Sequence, residues 1–284
     1  LLLGIILPLF VVIAKEILDN KIHTAEDIER LTPIPVLGVI GKNKASNNLA
    51  VFLKPKSMVA ESFRALRSNI QFLFDRKLKD RSKTILVTSS VGGEGKTFIS
   101  INIGHTLSHS DKKVVVIGLD LRAPKIARYV DVAKTVGVTN YIVKEDLTFD
   151  DIVIHDPGNA NLDYIISGDI PPNPSELLLR ERLVELIDIA KSRYDYVILD
   201  TAPVALVADS LHVHKFADIV VYVARAEHLD RRMLSIPASL YHDKKMPNMA
   251  VLVNATDLTG KGYGYGYGYG SGYGYGYGYG YGYG

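Results

Sequence analysis

Residues 84–97 read TILVTSSVGGEGKT, an apolar run followed by a glycine-rich turn and then by lysine and threonine. The apolar run predicts a buried strand, and the residues behind the turn predict a helix over roughly 96–109. Gly92, Gly93 and Gly95 would let backbone N–H groups curl around a phosphate without Cβ clashes. Because the helix would present its positive N-terminus to the same anion, the stretch predicts a phosphate-binding loop.

Two side chains behind the turn complete the pattern of a nucleotide site. Lys96 can reach the outer phosphates as a point charge, and Thr97 Oγ can bind Mg²⁺. A plain glycine-rich turn would not need these residue types at these places. The first position of the GxxxxGK[ST] pattern is Ser90, which departs from glycine. The nucleotide contacts predicted in this stretch are Gly92, Gly93, Glu94, Gly95, Lys96, Thr97 and Phe98.

Strand-like and helix-like segments alternate through most of the chain. Continuous Val/Ile/Leu runs separated by helices predict a mostly parallel sheet with helices on both faces. The predicted fold class is therefore α/β, doubly wound and P-loop NTPase-like, with its functional loops at the carboxyl ends of the strands. The predicted strands are 84–90, 114–120, 162–168, 196–200, 219–224 and 249–254, and helices are expected over 57–78, 96–109 and 181–193.

Two aspartates end predicted strands and could hold a metal beside the phosphate loop. Asp200 ends the run YVILD and would point into the crevice, where it could hold the water shell of Mg²⁺. Its alternative role is to cap the next turn. Asp120 ends VVVIGLD and is followed by Arg122, and its alternative role is that of a turn aspartate. The predicted metal ligands are Thr97, Asp120 and Asp200.

The N-terminal part divides into an apolar start and a linker. Residues 1–14, LLLGIILPLFVVIA, carry no charge. As a helix they would span roughly 21 Å, against about 30 Å for a bilayer core. They predict the end of a transmembrane helix whose beginning is missing, and the alternative is a buried core helix. Residues 15–56 predict a juxtamembrane helix, then a short extended piece and a polar linker, because prolines and glycines at 33–41 forbid a long helix there.

The two remaining regions are a domain over 57–260 and a repetitive end over 261–284. From residue 262 the sequence alternates Gly and Tyr with one serine, Ser271, and it holds ten of the 17 tyrosines. Glycine at every other position makes ordering costly, and no aliphatic residue is present to build a core. The sequence therefore predicts a disordered tail.

Composition excludes several classes of function. The chain of 284 residues has no cysteine, so a disulfide scaffold and a cysteine-based metal site are excluded. A net charge of +2 is too small to argue for a nucleic-acid partner, and none is predicted. The histidines lack ligand spacing, so no transition-metal site is predicted either.

In combination, the motifs resemble those of the bacterial tyrosine kinases (BY-kinases) of polysaccharide export, the Wzc-like proteins, over nearly the whole chain. SSVGGEGKT matches the family's Walker A motif, VVIGLDLR a second acidic motif (Asp-x-Asp-x-Arg), and VILDTAP the Walker B motif. The family's Glu-x-x-Arg-x-x-Arg motif falls on Glu61, Arg64 and Arg67. The turn GDIPPNPSELL and the terminal tyrosines also match.

The resemblance implies an ATP- and Mg²⁺-dependent protein-tyrosine kinase with Lys96, Asp120 and Asp200 as catalytic residues. It implies that Asn254 meets adenine, and that Glu61, Arg64 and Arg67 join subunits into a homo-oligomeric ring, for which an octamer is one size. A neighbouring subunit's tail would then be phosphorylated in trans. The implied phosphoacceptors are Tyr263, Tyr265, Tyr267, Tyr269, Tyr273, Tyr275, Tyr277, Tyr279, Tyr281 and Tyr283.

The same resemblance implies a setting in the cell. The protein would be anchored in the bacterial inner membrane with its catalytic domain on the cytoplasmic side. An extracytoplasmic domain and another transmembrane helix would precede Leu1. A cognate tyrosine phosphatase and the polysaccharide export machinery would be its partners, and its cycling would regulate exopolysaccharide or capsule polymerisation and export.

Two positions differ from the residues that related families carry, and each bears on the expected mechanism. Gly118 stands where the family has the first acid of Asp-x-Asp-x-Arg, so the acceptor-side role falls to Asp120 alone. Val91 stands at the signature lysine of the MinD- and ParA-like ATPases, so their trans-lysine mechanism is not expected. Two other functions stay open: a non-kinase ATPase or membrane scaffold, and a nucleotide-binding regulator disabled by Gly118.

Two motifs also have local explanations. Glu61, Arg64 and Arg67 recur at every third residue and could form a solvated charged stripe on one helix face. Residues 173–176, Asn-Pro-Ser-Glu, form a good helix start, with asparagine as the cap and proline in the first position.

Overall fold

The computed structural model describes residues 19–43, 49, 51, 56–74, 81–132, 135–205 and 209–258. The strands are β1 (Val36–Gly41), β2 (Lys83–Ser89), β3 (Val114–Gly118), β4 (Ile154–His155), β5 (Leu162–Ile165), β6 (Tyr196–Asp200), β7 (Ile219–Arg225) and β8 (Met249–Thr256). The helices are α1 (Ala25–Leu31), α2 (Met58–Leu73), α3 (Lys96–Ser108), α4 (Ile126–Tyr129), α5 (Val138–Val143), α6 (Phe149–Ile152), α7 (Pro174–Leu177), α8 (Glu181–Arg193), α9 (Asp209–Val213) and α10 (Ser235–His242). Two short 3₁₀ helices are His214–Phe216 and Arg231–Leu234.

The strands form one eight-stranded sheet in the order β1-β8-β7-β2-β6-β3-β5-β4. Every neighbouring pair is parallel except β4 and β5. The predicted mostly parallel α/β sheet is thereby confirmed. Its carboxyl edge gathers the ends of β2, β3, β6, β7 and β8, which is where a ligand crevice is expected in such a fold.

Alternate residues of the central strands enter two apolar cores on opposite faces of the sheet. On β2, Leu86 packs into one core, while Ile85 and Val87 pack into the other. This period of two explains why an uninterrupted apolar run forms a strand that is covered on both sides.

Helix α3 is the central helix of the fold, and all its residues are buried. Gly104 brings it close to the sheet, since a Cβ at that position would lie 2.9 Å from Val116 Cγ2. The helix therefore has little freedom to shift relative to β3. Its first residues are held in a fixed position at the carboxyl edge of the sheet.

The short extended piece predicted within the linker is a strand of the domain, so the linker prediction is wrong over Val36–Gly41. Val36–Gly41 pairs with β8 as an edge strand, and α1 packs Ala25 and Ile28 into the same core as β8. The Asn69 amide on α2 also donates to Leu37 O at 2.8 Å. The prolines at 33 and 35 end α1 and lead directly into the strand, so they punctuate structure that belongs to the domain.

Two other predictions concern residues outside the described ranges. The apolar start at 1–14 and the Gly-Tyr tail at 261–284 both lie there. Within the described residues, no helix combines the length and the apolarity that a bilayer span requires.

A chain beginning at Ser57 tests whether α1 and β1 belong to the folding unit. It would expose the edge of β8, and it would lose buried aliphatic side chains worth about 1.5–3 kcal/mol each. These side chains are Ile22, Ile28, Ile34, Leu37 and Ile40. Because their sum rivals the roughly 5–15 kcal/mol stability of a whole domain, we expect this chain to be unfolded or aggregated.

The control is a chain beginning at Asp19, which keeps both elements and should unfold cooperatively in urea. Circular dichroism and size-exclusion chromatography measure both chains. Equal urea midpoints for the two would show that α1 and β1 are dispensable.

Candidate active site

The glycine-rich loop between β2 and α3 adopts a backbone that only glycine accommodates at two positions. Gly93 and Gly95 have φ angles of +84° and +96°, in the left-handed region. A Cβ on Gly95 would lie 2.3 Å from the Asn254 amide nitrogen, which donates to Glu94 O at 2.8 Å. Asn254, which the resemblance predicts to meet adenine, thus holds the loop from the end of β8. It also lines the cavity over the loop.

Glu94 stabilises the loop from inside. Its buried carboxylate accepts the Val91 N–H at 2.8 Å and the Arg225 N–H at 3.4 Å. Burial raises the pKa of the Glu94 carboxyl, and these hydrogen bonds oppose the shift. Because these contacts occupy the Glu94 side chain, only the backbone of Glu94 is left to make the predicted nucleotide contact.

Two residues that the motifs did not indicate hold the outside of the loop. Arg225 Nη1, at the end of β7, donates to Gly93 O at 2.8 Å. His228 Nε2 lies 3.0 Å from Gly92 O and donates to it. Their only sequence signal is that they follow a strand whose carboxyl end must reach this edge of the sheet.

Ser90 explains why the loop tolerates the departure from glycine at its first position. Its φ is not in the left-handed region, unlike those of Gly93 and Gly95. The buried Ser90 hydroxyl is instead hydrogen-bonded to Tyr222 OH at 2.9 Å. A side chain is thus accommodated and used at this position.

A buried carboxylate joins the end of β6 to the start of α3. Asp200 accepts from Thr97 Oγ1 at 2.7 Å and from Ser100 Oγ at 3.2 Å. Lys96 Nζ donates to Ser89 Oγ at 3.2 Å, from the same helix start. The structure therefore brings the predicted Lys96, Thr97 and Asp200 together. Ser100 was not predicted, although it follows Thr97 by three residues and shares its helix face.

Burial dominates the protonation of this cluster. It raises the pKa of the Asp200 carboxyl to about 6, although the Thr97 hydrogen bond and the Lys96 charge lower it. Burial also lowers the pKa of the Lys96 ammonium, against the opposing charges of Asp200 and Asp120. Both charges are thus held in a site that lacks full solvation, which favours their pairing with a bound ion of opposite sign.

Asp120 combines the two roles that were considered for it. Its Oδ1 accepts the N–H groups of Arg122 at 3.3 Å and Ala123 at 3.0 Å, as a turn aspartate does. Its side chain also lines the same cavity as Lys96 and Thr97. The Asp120 N–H donates to Asp200 O at 3.0 Å, so the two acid-bearing strand ends are tied together.

Ser167 fills the space beside Gly118. The Ser167 hydroxyl donates to Gly118 O at 3.0 Å and to Asp120 O at 3.2 Å. A Cβ on Gly118 would lie 2.8 Å from Ser167 Oγ, 3.1 Å from Ser167 N and 3.2 Å from Ile126 Cδ1. The departure from the family pattern is therefore built into the packing, and Asp120 is left as the acid at this motif.

An open cavity of about 310 Å³ lies over the loop, within the size range of small-molecule sites. The predicted residues that line it are Gly93, Gly95, Lys96, Thr97, Phe98, Asp120 and Asn254. Sequence reasoning missed Lys42, Asn43, Lys125, Tyr129, Arg225 and Ala255 in its wall. Four of the wall's side chains are cationic, so the cavity suits a polyanion such as a nucleotide polyphosphate.

The predicted subunit-interface motif on α2 divides into two parts. Glu61 and Arg64 pair with each other and are exposed, with 64% and 40% of their side chains accessible. Arg67 Nη1 instead donates to Ser110 Oγ at 2.5 Å and to Thr106 O at 3.5 Å, at the end of α3. Within the described chain, Arg67 therefore has an intramolecular role beside the end of the central helix.

Comparison with known families and sequences gives a consistent result. The AAA domain family profile matches residues 82–230. The tyrosine-protein kinase YwqD of Bacillus subtilis is 35% identical over 186 residues, which cover 64% of this chain and 76% of YwqD. A putative tyrosine-protein kinase in the cps region of Klebsiella pneumoniae is 30% identical over 276 residues, 92% of this chain. The chain spans only 37% of the length of that relative.

Solved structures agree with the sequence comparisons. The kinase domain of the Escherichia coli tyrosine kinase Etk superposes with a TM-score of 0.74 at 26% identity, covering 90% of this chain and 100% of the domain. The chimerical protein CapA2B2 superposes with a TM-score of 0.75 at 31% identity, covering 82% of this chain and all of its own.

Asp200→Asn should stabilise the fold in the absence of nucleotide and metal. A carboxyl with a raised folded-state pKa contributes stability when protonated and loses it as pH rises through about 6. A shift of roughly two units corresponds to about 3 kcal/mol, and the uncharged amide avoids that cost. The gain over wild type should be largest near pH 8 and should shrink toward pH 4. Urea unfolding in EDTA across this range measures it.

The matched control is Asp146→Asn, at the exposed turn after α5. It should leave this pH dependence unchanged. A gain for Asp200→Asn that is independent of pH would contradict the assignment to the Asp200 charge.

Gly118→Ala should lower the free energy of unfolding by about 1–3 kcal/mol, because its methyl meets Ser167 and Ile126 closer than normal contact. Gly92→Ala is the matched control, since a Cβ there has nothing within 4 Å and should change stability by less than about 0.5 kcal/mol. Chemical denaturation measures both. Equal midpoints for the two variants would contradict the close packing at Gly118.

Proposed function

Because the chain belongs to the family of bacterial tyrosine kinases, we propose that it transfers the γ-phosphoryl group of ATP to tyrosine hydroxyls of its own Gly-Tyr tail. The observation that carries this proposal is the junction of the phosphate loop with Asp200 and Asp120 at one edge of the sheet. A second support is the tail itself, which supplies ten tyrosines on the same polypeptide.

The residues present fit a nucleotide with its metal. Gly93 and Gly95 keep the loop free of Cβ atoms, and Lys96 lies at the start of α3, where its charge and the helix dipole both favour phosphate. Thr97 and Asp200 would hold Mg²⁺, with Asp120 beside them. When bound, the metal neutralises charge on the phosphate oxygens. Ser100 would keep Asp200 oriented through its hydrogen bond.

Asp120 is the residue proposed to receive the acceptor tyrosine. Its carboxylate would orient the hydroxyl and take up its proton as the phosphoryl group arrives. A loose transition state depends more on positioning and charge neutralisation than on a strong base. One acid at this motif is therefore sufficient in the proposed mechanism, and Gly118 need not abolish activity.

We propose that the acceptor tail belongs to a neighbouring subunit in a ring. Glu61 and Arg64 are exposed on α2 and offer a charged pair to a partner, whereas Arg67 serves its own subunit. A glycine-rich chain of about 24 residues has a root-mean-square span of roughly 27 Å, and we propose that this length carries the tail to an adjacent crevice.

Phosphorylation would change the charge of such an assembly strongly. Ten phosphotyrosines add roughly −15 to −20 charges, so crowded tails would repel one another. We propose that this repulsion dissociates the ring and that the cycle regulates polysaccharide polymerisation and export at the inner membrane. The similarity to the putative tyrosine-protein kinase in the cps region of Klebsiella pneumoniae supports a role of this kind.

Lys96→Met should abolish tail phosphotyrosine, because a neutral side chain cannot offset the charge that develops on the phosphates. Mass spectrometry after incubation with Mg-ATP should find phosphate on tail tyrosines of the wild type and none on the variant. The matched control is Lys215→Met, at an exposed site remote from the loop, which should be phosphorylated like wild type.

The same samples distinguish the alternatives. ATP hydrolysis without phosphotyrosine would favour a non-kinase ATPase or scaffold, and nucleotide binding with neither product would favour a regulator. Native mass spectra recorded before and after phosphorylation test the ring. An unchanged oligomer after full phosphorylation would exclude dissociation by charge.

A further inference from the structure

Three exposed aliphatic side chains lie on segments that hydrogen bonds tie to one another and to the Asp120 turn. We call them the β5 patch; they are Val143, Ile170 and Leu179, which are 63%, 65% and 57% exposed. Pro172, also exposed, continues it from Ile170. Large apolar side chains held in water at one place are typical of a contact surface, whereas a single one would be unremarkable.

Hydrogen bonds connect the three segments that carry the patch. Asn140 on α5 donates to Asp169 Oδ2 at 2.7 Å, which ties the helix of Val143 to the residue before Ile170. Arg182 on α8 lies 4.2 Å over the Tyr141 ring and donates to Leu147 O at 2.9 Å. This second tie brings Arg182 in the first turn of α8, three residues beyond Leu179, against the end of α5.

The patch is also joined to the catalytic motif. The segment that follows β5 runs from Ile166 to the start of α7, and the Ser167 hydroxyl within it donates to Asp120 O. Farther along, Arg122 Nη2 donates to Ser175 Oγ at 2.9 Å. A chain lying on the patch would therefore reach the Asp120 turn, where the acceptor hydroxyl is proposed to bind.

The tail has both the origin and the reach to be the occupant. It follows β8, which is parallel to β5, so it leaves from the same carboxyl edge of the sheet. Five strand spacings separate β8 from β5 in the sheet order, or about 24 Å. The roughly 27 Å root-mean-square span of a glycine-rich chain of this length matches that separation, so the tail is long enough to cross the carboxyl edge of one subunit, its own or, in the proposed ring, a neighbour's.

The composition of the tail also matches the patch. Residues 262–284 contain only Gly, Tyr and Ser, so the unmodified tail offers neutral aromatic rings and no charge. Aromatic rings pack well on aliphatic and proline side chains, and glycines on both sides give the backbone room to lie flat. A charged groove would have little to attract in such a segment.

We propose that the β5 patch is the docking surface that selects the Gly-Tyr tail as phosphoacceptor. This inference rests on the proposed function, because the patch would serve the same active site. Docking of one or two tyrosines would place a third at Asp120. A phosphorylated tyrosine side chain loses affinity for an apolar surface, so each modified tyrosine would be released. The next tyrosine of the tail would then dock in its place.

The test uses the full chain with Val143→Ser, Ile170→Ser and Leu179→Ser combined. The acceptor is a nitrogen-15-labelled full chain carrying Lys96→Met, so mass spectrometry separates its tail from that of the enzyme. We expect the KM for the acceptor to rise about tenfold or more from the lost apolar contact, with the KM for ATP unchanged. The matched control combines Leu31→Ser and Met233→Ser, two exposed apolar side chains elsewhere, and should behave like wild type.

A binding measurement separates docking from chemistry. A fluorescent peptide with the sequence of residues 262–284 is titrated with each full chain without ATP, and its dissociation constant should rise about tenfold in the patch variant. Reduced binding without any phosphotyrosine in the wild type would retain the docking surface and reject the kinase reaction. Unchanged binding and an unchanged acceptor KM would overturn the proposal. Should the triple variant unfold, the three single variants replace it, and wild-type KM values in all three would equally overturn it.

Discussion

The carboxylate of Asp200 is the contact on which the site depends, because it joins the two elements that must stay in register for a nucleotide to bind. Its oxygens accept from Thr97 and Ser100, one helical turn apart on α3. The helix is wholly buried and cannot rotate without breaking both contacts. Burial of the carboxylate is unfavourable by itself, so the fold keeps it for function at a cost in stability.

Much of this arrangement could be predicted from sequence, because a parallel sheet converts chain order into spatial order. Lys96, Thr97 and Asp200 each follow or end an apolar strand, so their meeting at one edge required no knowledge of side-chain packing. A short extended piece could be predicted after the prolines at 33 and 35, but its place in the sheet could not, because only pairing with β8 makes Val36–Gly41 a strand. Sequence periodicity carries no information about such a partner.

The residues that hold the glycine-rich loop from outside could not be predicted from the sequence either. Arg225 and His228 act through hydrogen bonds to carbonyl groups, which any basic side chain at the right distance could make. Arg67 shows the opposite case, in which a recognisable motif left the structural role open. Its spacing with Glu61 suited an exposed stripe, yet its guanidinium binds the end of α3. Only the rotation of α2 on the sheet decides between these outcomes.

The pairing of Gly118 with Ser167 shows how one substitution can alter the site without loosening it. Ser167 occupies the space beside the glycine, and its hydroxyl binds two carbonyl groups of the turn that carries Asp120. The turn is therefore held by neutral hydrogen bonds, where a second carboxylate would add negative charge next to Asp200 and Asp120. With one acid fewer beside the cavity, the positive charge of its wall is less offset, which favours a polyanionic ligand. The same turn carries Arg122, whose hydrogen bond to Ser175 joins it to the segment after β5, so the geometry of the Asp120 turn and of that segment are set together.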